Sequence, residues 1–441
     1  MALHPKHLDT STAVDPVSAI TRLANSGLFG DYVVYERLGE WVFAADPVGQ
    51  VEIDTDEVRM GLPARTDRVR WSGRPLQALA GALDGLRLQL GPAAAGTAYG
   101  WVGFECCAYS LEAEHHVPRG TTLAHLMIPR VEIRLSPTGI ATAGLTADEQ
   151  DAVTGLLAAE LDTPPAAEPV DVTADPTGYR DRVAAVVNEI AAGRYRKVIL
   201  SRRVEVPFRL DMAETYRLGR THNTPARSFL FRLGEIEAAG FSPELVAAVD
   251  DDRIVTTEPL AGTRAFGLGP NADRAARADL EADPKEIVEH AVSVKTSFAE
   301  IASVAEPGTP SVADFMSVRE RGSVQHLAST VRGRLAARRT SWDALEALFP
   351  SVTASGIPKA PSVDAIFRHD HDARGLYSGA VMTVTAQGVL EATLVLRAVY
   401  QSGDAAWLRA GAGIIAQSTP AREFEETCEK LASVAPYLVR A

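Results

Sequence analysis

"LRAGAGIIAQSTPAREFEETCEKL", Leu408 to Leu431, runs from an apolar strand through a glycine-rich exit into a helix. Pro420 suits the first turn of that helix, where a missing N–H costs nothing. Within it Glu423 and Glu426 lie three apart and share a face, and Lys430, four beyond Glu426, stays on that side. Four glutamates crowd the stretch Glu423–Glu429. Like charges this dense repel, so the run calls for a cation. A second Glu-x-x-Glu, Glu286 and Glu289, sits in "DPKEIVEHAVSVKTSFAEIASVA", a long helical pattern from Asp283. Two such helices face to face would build an all-oxygen cage for a hard divalent ion, and magnesium fits best. The same pattern also fits two solvated helix faces, its commoner origin.

Outward from these helices, strands and helices alternate irregularly. "KVILSRRVEVPF", "SFLFRLG", "EAAGFSPELVAAVD", "VQHLASTVRGRL" and "YSGAVMTVTAQGVLEATLVLRAVYQ" read as strands, and Asp175-Pro176 opens a helix ending near Gly193. A seam of small residues and prolines, "AAELDTPPAAEPVDVTADPTGYR", suggests a boundary near residue 165. Before it, "DYVVYE", "WVFAA", "VEIDTDEVRM", "TAYGWVGFE" and "VEIRLSPTGIATAG" read as strands, and "PLQALAGALDGLRLQL" and "ADEQDAVTGLLAAEL" as helices. The pattern predicts an α+β fold with mostly antiparallel pairing. The expected division is an α+β part over 1–165, contributing to a common body, and a catalytic part over 175–441.

The chain of 441 residues carries a net charge of −13, which argues against a nucleic-acid partner. An anionic substrate would need a local cationic site. No apolar run reaches membrane-spanning length, and "MALHPKHLDTSTAV" lacks a signal-peptide core. Cys106, Cys107 and Cys428 form no disulfide framework or zinc spacing, so a cytoplasmic setting is expected.

Other features are weaker. "RAGAGII" (Arg409–Ile415) is not a dinucleotide fingerprint; alone it reads as a tight turn, or as a backbone nest for a carboxylate. "HDHD" (His369–Asp372) and His115-His116 read as solvated loop residues, not metal ligands. Lys197 opens an apolar strand; it is either an ordinary strand-end lysine or a base facing a pocket.

Taken in order, "RYRKVILSRRVEV", "GFSPELVAAV", "TEPLAGTRAFG", "DPKEIVEHAVSVK", "VRERGSVQHLASTVRG", "FPSVTASGIPKAPSVDAI", "RGLYSGAV", "TLVLRAVY" and "LRAGAGIIAQSTPAREFEETCEKL" resemble the chorismate-utilising enzymes. The resemblance covers the chain from Asp175 onward. The N-terminal third, through "DYVVYERLGEWVFAAD", "RWSGRP" and "YGWVGFE", is similar to the salicylate synthase branch found in mycobactin-type siderophore producers. The resemblance implies two large antiparallel sheets packed together with helices outside. It implies Lys197 as general base and Glu244 as general acid. It implies Glu289, Glu423 and Glu426 as magnesium ligands, with Glu286 beside them, direct or through water. Tyr377 and Arg397 would hold the enolpyruvyl carboxylate. Gly262, Thr263, Gly411, Ala412, Gly413 and Lys430 would wall the ring, and His326 and Thr353 would line the pocket.

The implied chemistry explains these residue types. Chorismate is a dianion, and magnesium would offset its ring carboxylate and draw electrons from the diene. Lys197 would activate water, and Glu244 would protonate the departing hydroxyl, so its carboxyl should be held protonated. Pyruvate loss from isochorismate would need only a folded conformer. Ammonia-using members usually carry glutamine at the Lys197 position, so no glutamine amidotransferase partner is expected. Isochorismate synthases usually read "PLAGSARR" where this chain has "PLAGTRAFG". The expected protein is a monomeric, bifunctional, magnesium-dependent salicylate synthase. Two alternatives stay open: an isochorismate synthase without lyase activity, and a catalytically silent relative.

Overall fold

The computed structural model describes residues 6–8, 15–62, 64–137, 139–159, 163, 165–321 and 324–441. Most of the N-terminal stretch, part of the seam including Pro164, and the Gly-Ser of "VRERGSVQ" lie outside the described residues.

Two long strands, Glu40–Asp54 and Thr122–Ser136, pair along almost their whole length, with a register shift between Pro47 and Gly49. Their halves belong to different layers. In the first layer Glu40–Asp54 joins Tyr32–Arg37, then Arg227–Leu233, Ile236–Ser242, Ala398–Ser402, Ala405–Ile414, Lys197–Val206 and Gly356–Ile357. In the second, Thr122–Ser136 joins Ala98–Val102, then Ala380–Val384, Leu390–Leu394, Leu245–Val249, Ile254–Thr257 and Val324–Arg334. Leu260–Ala265 and Ser311–Arg321 also pair with Val324–Arg334. Every pairing is antiparallel. The layers meet over Val33, Tyr35, Trp101, Phe229, Phe231, Val381 and Tyr400, side chains contributed by both. Alternating apolar residues make this possible, because successive side chains of a strand point to opposite faces. Strands from before and after the seam pair edge to edge, as in Val33↔Phe231 and Trp101↔Val381.

Helices cover the outer faces. Helix Pro284–Val304 starts at Asp283, whose carboxylate accepts from Lys285 N at 2.9 Å and Glu286 N at 3.4 Å. Helix Pro420–Leu431 buries Phe424, Thr427 and Leu431, one helical stripe, which leaves Glu423, Glu426 and Lys430 on the next. Phe424 lies beneath the guanidiniums of Arg180 and Arg202, 3.6 and 4.4 Å from its ring centre. Asp175 caps helix Tyr179–Ala191 by accepting from Tyr179 N and Arg180 N, while Pro176 stays ahead of the first turn. No helix among the described residues is long and apolar enough to cross a membrane.

Candidate active site

Lys197 stands at the first position of strand Lys197–Val206, buried, with Nζ 2.6 Å from Glu289 Oε1. Burial opposes ionisation of Glu289, but the lysine's charge and hydrogen bond outweigh it and hold the carboxyl below its ordinary value. Gly413 faces this pair from the neighbouring strand; a Cβ there would come 3.2 Å from Lys197 Cε.

Glu426 and Lys430 pair at 2.7 Å across one helical turn, and Lys430 Nζ also donates to Gly411 O at 2.9 Å. Burial works against the lysine's charge, yet Glu426 outweighs it and raises the ammonium above its usual value. Glu423 is buried, and burial lifts its carboxyl; a Ser418 hydrogen bond offsets part of this and repulsion from Glu426 adds to it. Glu286 is raised as well, by burial first and then by Glu289. Lys285 and Arg264, the latter 3.5 Å away, draw it partly back.

The two pairs stand on two helices near enough for Lys285 to act on Glu423 and Lys430 on Glu289, but the four are not drawn into one ligand shell among the described residues. Burial raises the carboxyls of Glu286 and Glu423, so a cation brought beside them would favour their ionised form. All four donors are carboxylate oxygens, with no imidazole or thiolate among them. The residues present therefore fit a hard divalent cation such as magnesium.

Glu244 lies just before strand Leu245–Val249, and its side chain is enclosed. Ser351 Oγ and Thr353 Oγ1 donate to its Oε1 at 2.7 and 2.5 Å. Burial pushes its carboxyl up to about 7, against the lowering effect of both hydroxyls and of Lys197. Ser351, two residues before Thr353, is a partner that sequence reading missed; an unremarkable serine carries no local signal.

His326 ties three predicted residues together. Its Nδ1 is 2.9 Å from Gly262 O and 3.1 Å from Thr263 Oγ1. A carbonyl only accepts, so Nδ1 carries the proton and Nε2 accepts from Arg397 Nη2 at 2.8 Å. Burial, then Arg397, pushes the imidazole down to about 3, so it is neutral. Arg397 itself adopts φ 51°, a costly backbone for a non-glycine residue, which aims its guanidinium at His326. Burial and the neighbouring Arg321, which sequence reading also missed, push Arg397 down to about 10. Gly262 has φ +63°, and a Cβ would meet Leu280 at 2.8 Å and Glu286 Oε2 at 3.0 Å.

Two expectations need correction. Gly411–Ala412–Gly413 is neither a turn nor a nest: it continues strand Ala405–Ile414, registered against Ser201, Leu200 and Ile199, and neither glycine has positive φ. A Cβ at Gly411 would fall 2.4 Å from Leu200 O and 2.8 Å from the Tyr377 hydroxyl, so glycine admits the tyrosine. The "HDHD" stretch is not simply solvated. His369 Nε2 lies 3.1 Å from Glu189, and the Asp370 side chain, 3% exposed, pairs with Arg374 at 2.8 Å and Arg409 at 3.2 Å. Those two guanidiniums flank the Tyr377 ring, 5.6 and 5.8 Å from its centre. His116, also read as solvated, is half-buried and bonded to Asp364 at 2.9 Å.

The family profile of chorismate binding enzymes matches residues 31–436. A salicylate synthase of Mycolicibacterium paratuberculosis is 52% identical over 99% of this chain and 95% of its own length. Anthranilate synthase component 1 of Streptomyces coelicolor is 39% identical, over 57% of this chain and 49% of its own length. In fold, the menaquinone-specific isochorismate synthase of Escherichia coli superposes with TM-score 0.75 at 20% identity, covering 99% of this chain and 94% of that one. With a profile spanning nearly the whole chain and a relative this similar from end to end, the chain belongs to the chorismate binding enzyme family.

Proposed function

We propose that the chain is a salicylate synthase. It adds water to chorismate and expels the ring hydroxyl to give isochorismate, then eliminates pyruvate to give salicylate for siderophore biosynthesis. The likeness to the Mycolicibacterium paratuberculosis enzyme across both chains supports this branch. The observation that carries the chemistry is the contrast between Glu244 and Lys197. Glu244 is an enclosed carboxyl held near 7, suited to giving up a proton at neutral pH. Lys197 is a buried amine in contact with a glutamate of the acidic cluster.

In this reading Glu289, Glu423 and Glu426, with Glu286 beside them, hold magnesium. The ion supplies charge balance for the ring carboxylate and electron withdrawal from the diene. Glu289, the hydrogen-bond partner of the Lys197 amine, would be one of the residues holding the ion. Lys197 is placed to take a proton from water, while Glu244 protonates the leaving hydroxyl on the other side of the ring. Thr353 and Ser351 orient the Glu244 carboxyl. Arg397, steadied by neutral His326, and Tyr377 hold the enolpyruvyl carboxylate. Gly262, Thr263, Lys430 and the Gly411–Gly413 strand wall the ring. Pyruvate loss uses no further acid or base and depends on this clamp keeping the side chain folded over the ring. The enzyme acts as a cytoplasmic monomer without an amidotransferase subunit.

The test is purified protein with chorismate and magnesium. Salicylate fluorescence with one pyruvate per ring is expected. Isochorismate accumulating without pyruvate would replace the reading by an isochorismate synthase, and unchanged chorismate would remove it.

A further inference from the structure

A cluster of nitrogen and oxygen donors lies far from the glutamates in the chain, made by two segments that sequence alone does not connect. His115 and His116 end the short turn Glu114–His116, and Asp364 lies in helix Lys359–His369. The ligand atoms of these three residues all lie within 4.8 Å of one another. His116 Nε2 is 2.9 Å from Asp364 Oδ1, and its ring stacks on Phe367 with centroids 5.5 Å apart and planes 16° apart. The His115 ring sits 4.1 Å from that of His116; it is exposed and has no hydrogen-bond partner among the described residues.

The carboxylate is oriented from behind. Asp364 Oδ2 accepts from Arg368 Nε at 2.9 Å. Arg368 in turn donates to both oxygens of Glu189, each at 2.9 Å. The guanidinium's charge is thus met by Glu189, and Asp364 keeps negative charge to offer on its other oxygen. An outer hydrogen-bond partner that fixes a ligating carboxylate in this way is a recurrent feature of metal sites.

We propose that His115, His116 and Asp364 form a second metal site, for a borderline divalent ion of the zinc type. Two imidazoles and a carboxylate are a nitrogen-and-oxygen donor set that zinc accepts and magnesium does not favour. Exposed His115 leaves the remaining coordination positions open to water. The ion would tie the turn Glu114–His116 to helix Lys359–His369. Two residues before Asp364, Ser362 Oγ supports the strand bearing Lys197 by donating to Lys197 O at 2.8 Å.

The test is calorimetric titration of the full chain with zinc, with magnesium in large excess to occupy the glutamates. One zinc per chain is expected, with a rise in Tm from preferential binding to the folded state. His115→Ala, a change at an exposed side chain, and Asp364→Asn should each abolish the saturable step. Arg368→Gln should weaken it roughly 10–100-fold, the usual cost of losing an outer partner. Glu426→Gln should leave it unchanged. Titration with cobalt(II) should give a visible absorption band that His115→Ala removes. Absence of saturable zinc binding in the wild type would overturn the proposal and leave His116–Asp364 a plain ion pair. Equal binding by His115→Ala and Asp364→Asn, or loss only in Glu426→Gln, would overturn it too.

Discussion

Strand Lys197–Val206 touches two charged clusters. At Ser201 it meets Asp370, which accepts from the Ser201 backbone N–H at 2.9 Å and its hydroxyl at 2.6 Å, and pairs with Arg374 and Arg409. Arg374 also donates to Ala354 O, and Arg409 to Ala373 O and Asp372 O. Asp370 is held low despite its burial, because the two arginines outweigh it. Four residues earlier on the same strand, Lys197 meets Glu289 of the glutamate cluster, in which Glu286 and Glu423 are raised. In one cluster the buried carboxylate is met by arginines whose other N–H groups go to backbone carbonyls, so its polar groups are satisfied within the fold. In the other, burial raises two carboxyls, which is the region where the proposed ion would act. A buried carboxylate met by arginines serves the scaffold, whereas carboxyls raised by burial are candidates for a site.

The sharpest way to break this comparison is Glu426→Gln. Magnesium-dependent turnover of chorismate should fall to background, while the midpoint of urea unfolding stays near that of the wild type. Near-normal rates would take Glu426 out of the ion's shell. Lys197 comes next, because its backbone serves the scaffold and its side chain the site. Lys197→Ala should slow water addition by about 10²–10⁴-fold. Conversion of supplied isochorismate to salicylate should survive in part, since that step lacks a base. Equal loss of both steps in single-turnover assays would make Lys197 a substrate-positioning group. In the arginine cluster the effect should move to stability. Asp370→Ala leaves Arg374 and Arg409 buried without their carboxylate, at a cost of about 3–5 kcal/mol in chemical unfolding. A loss of activity at unchanged stability would merge the two clusters into one.

The two regions also differ in how far the sequence disclosed them. Glu286, Glu289, Glu423 and Glu426 were legible because three-residue spacing on a helix is local. The meeting of those helices over Lys197 was not, and came only through resemblance. Asp370 was misread because its arginines stand four and thirty-nine residues away, and only folding brings Arg409 to it. Gly411 and Gly413 suggested a turn, since glycine pairs usually mark one; here glycine leaves room for Tyr377 and Lys197 within a strand. In the fold, strands with alternating apolar residues were readable. Strand Arg65–Arg70, with no buried residue, and helix Pro270–Ala282, which buries only Leu280, lack that periodicity and went unseen.

Glu244 sharpens the comparison from a third direction, because it is buried and raised without belonging to the acidic cluster. Its ordinary value is 4.5, and in the folded chain it stands at about 7. Between those two values the folded state binds a proton that the unfolded state has released. Stability therefore falls as pH rises through that window and levels off above it. The full contribution is at most about 3 kcal/mol, taking roughly 1.4 kcal/mol per pH unit. Glu244→Gln keeps an acceptor for Ser351 and Thr353 but has no proton to lose. Urea unfolding of this variant and the wild type should therefore give similar stabilities near pH 4, and the variant should be the more stable near pH 8. In the same range, wild-type kcat/KM for chorismate should decline as pH passes about 7, where the acid loses its proton. If the two stability curves run parallel, burial does not hold this carboxyl protonated, and the proton for the departing hydroxyl must come from another group.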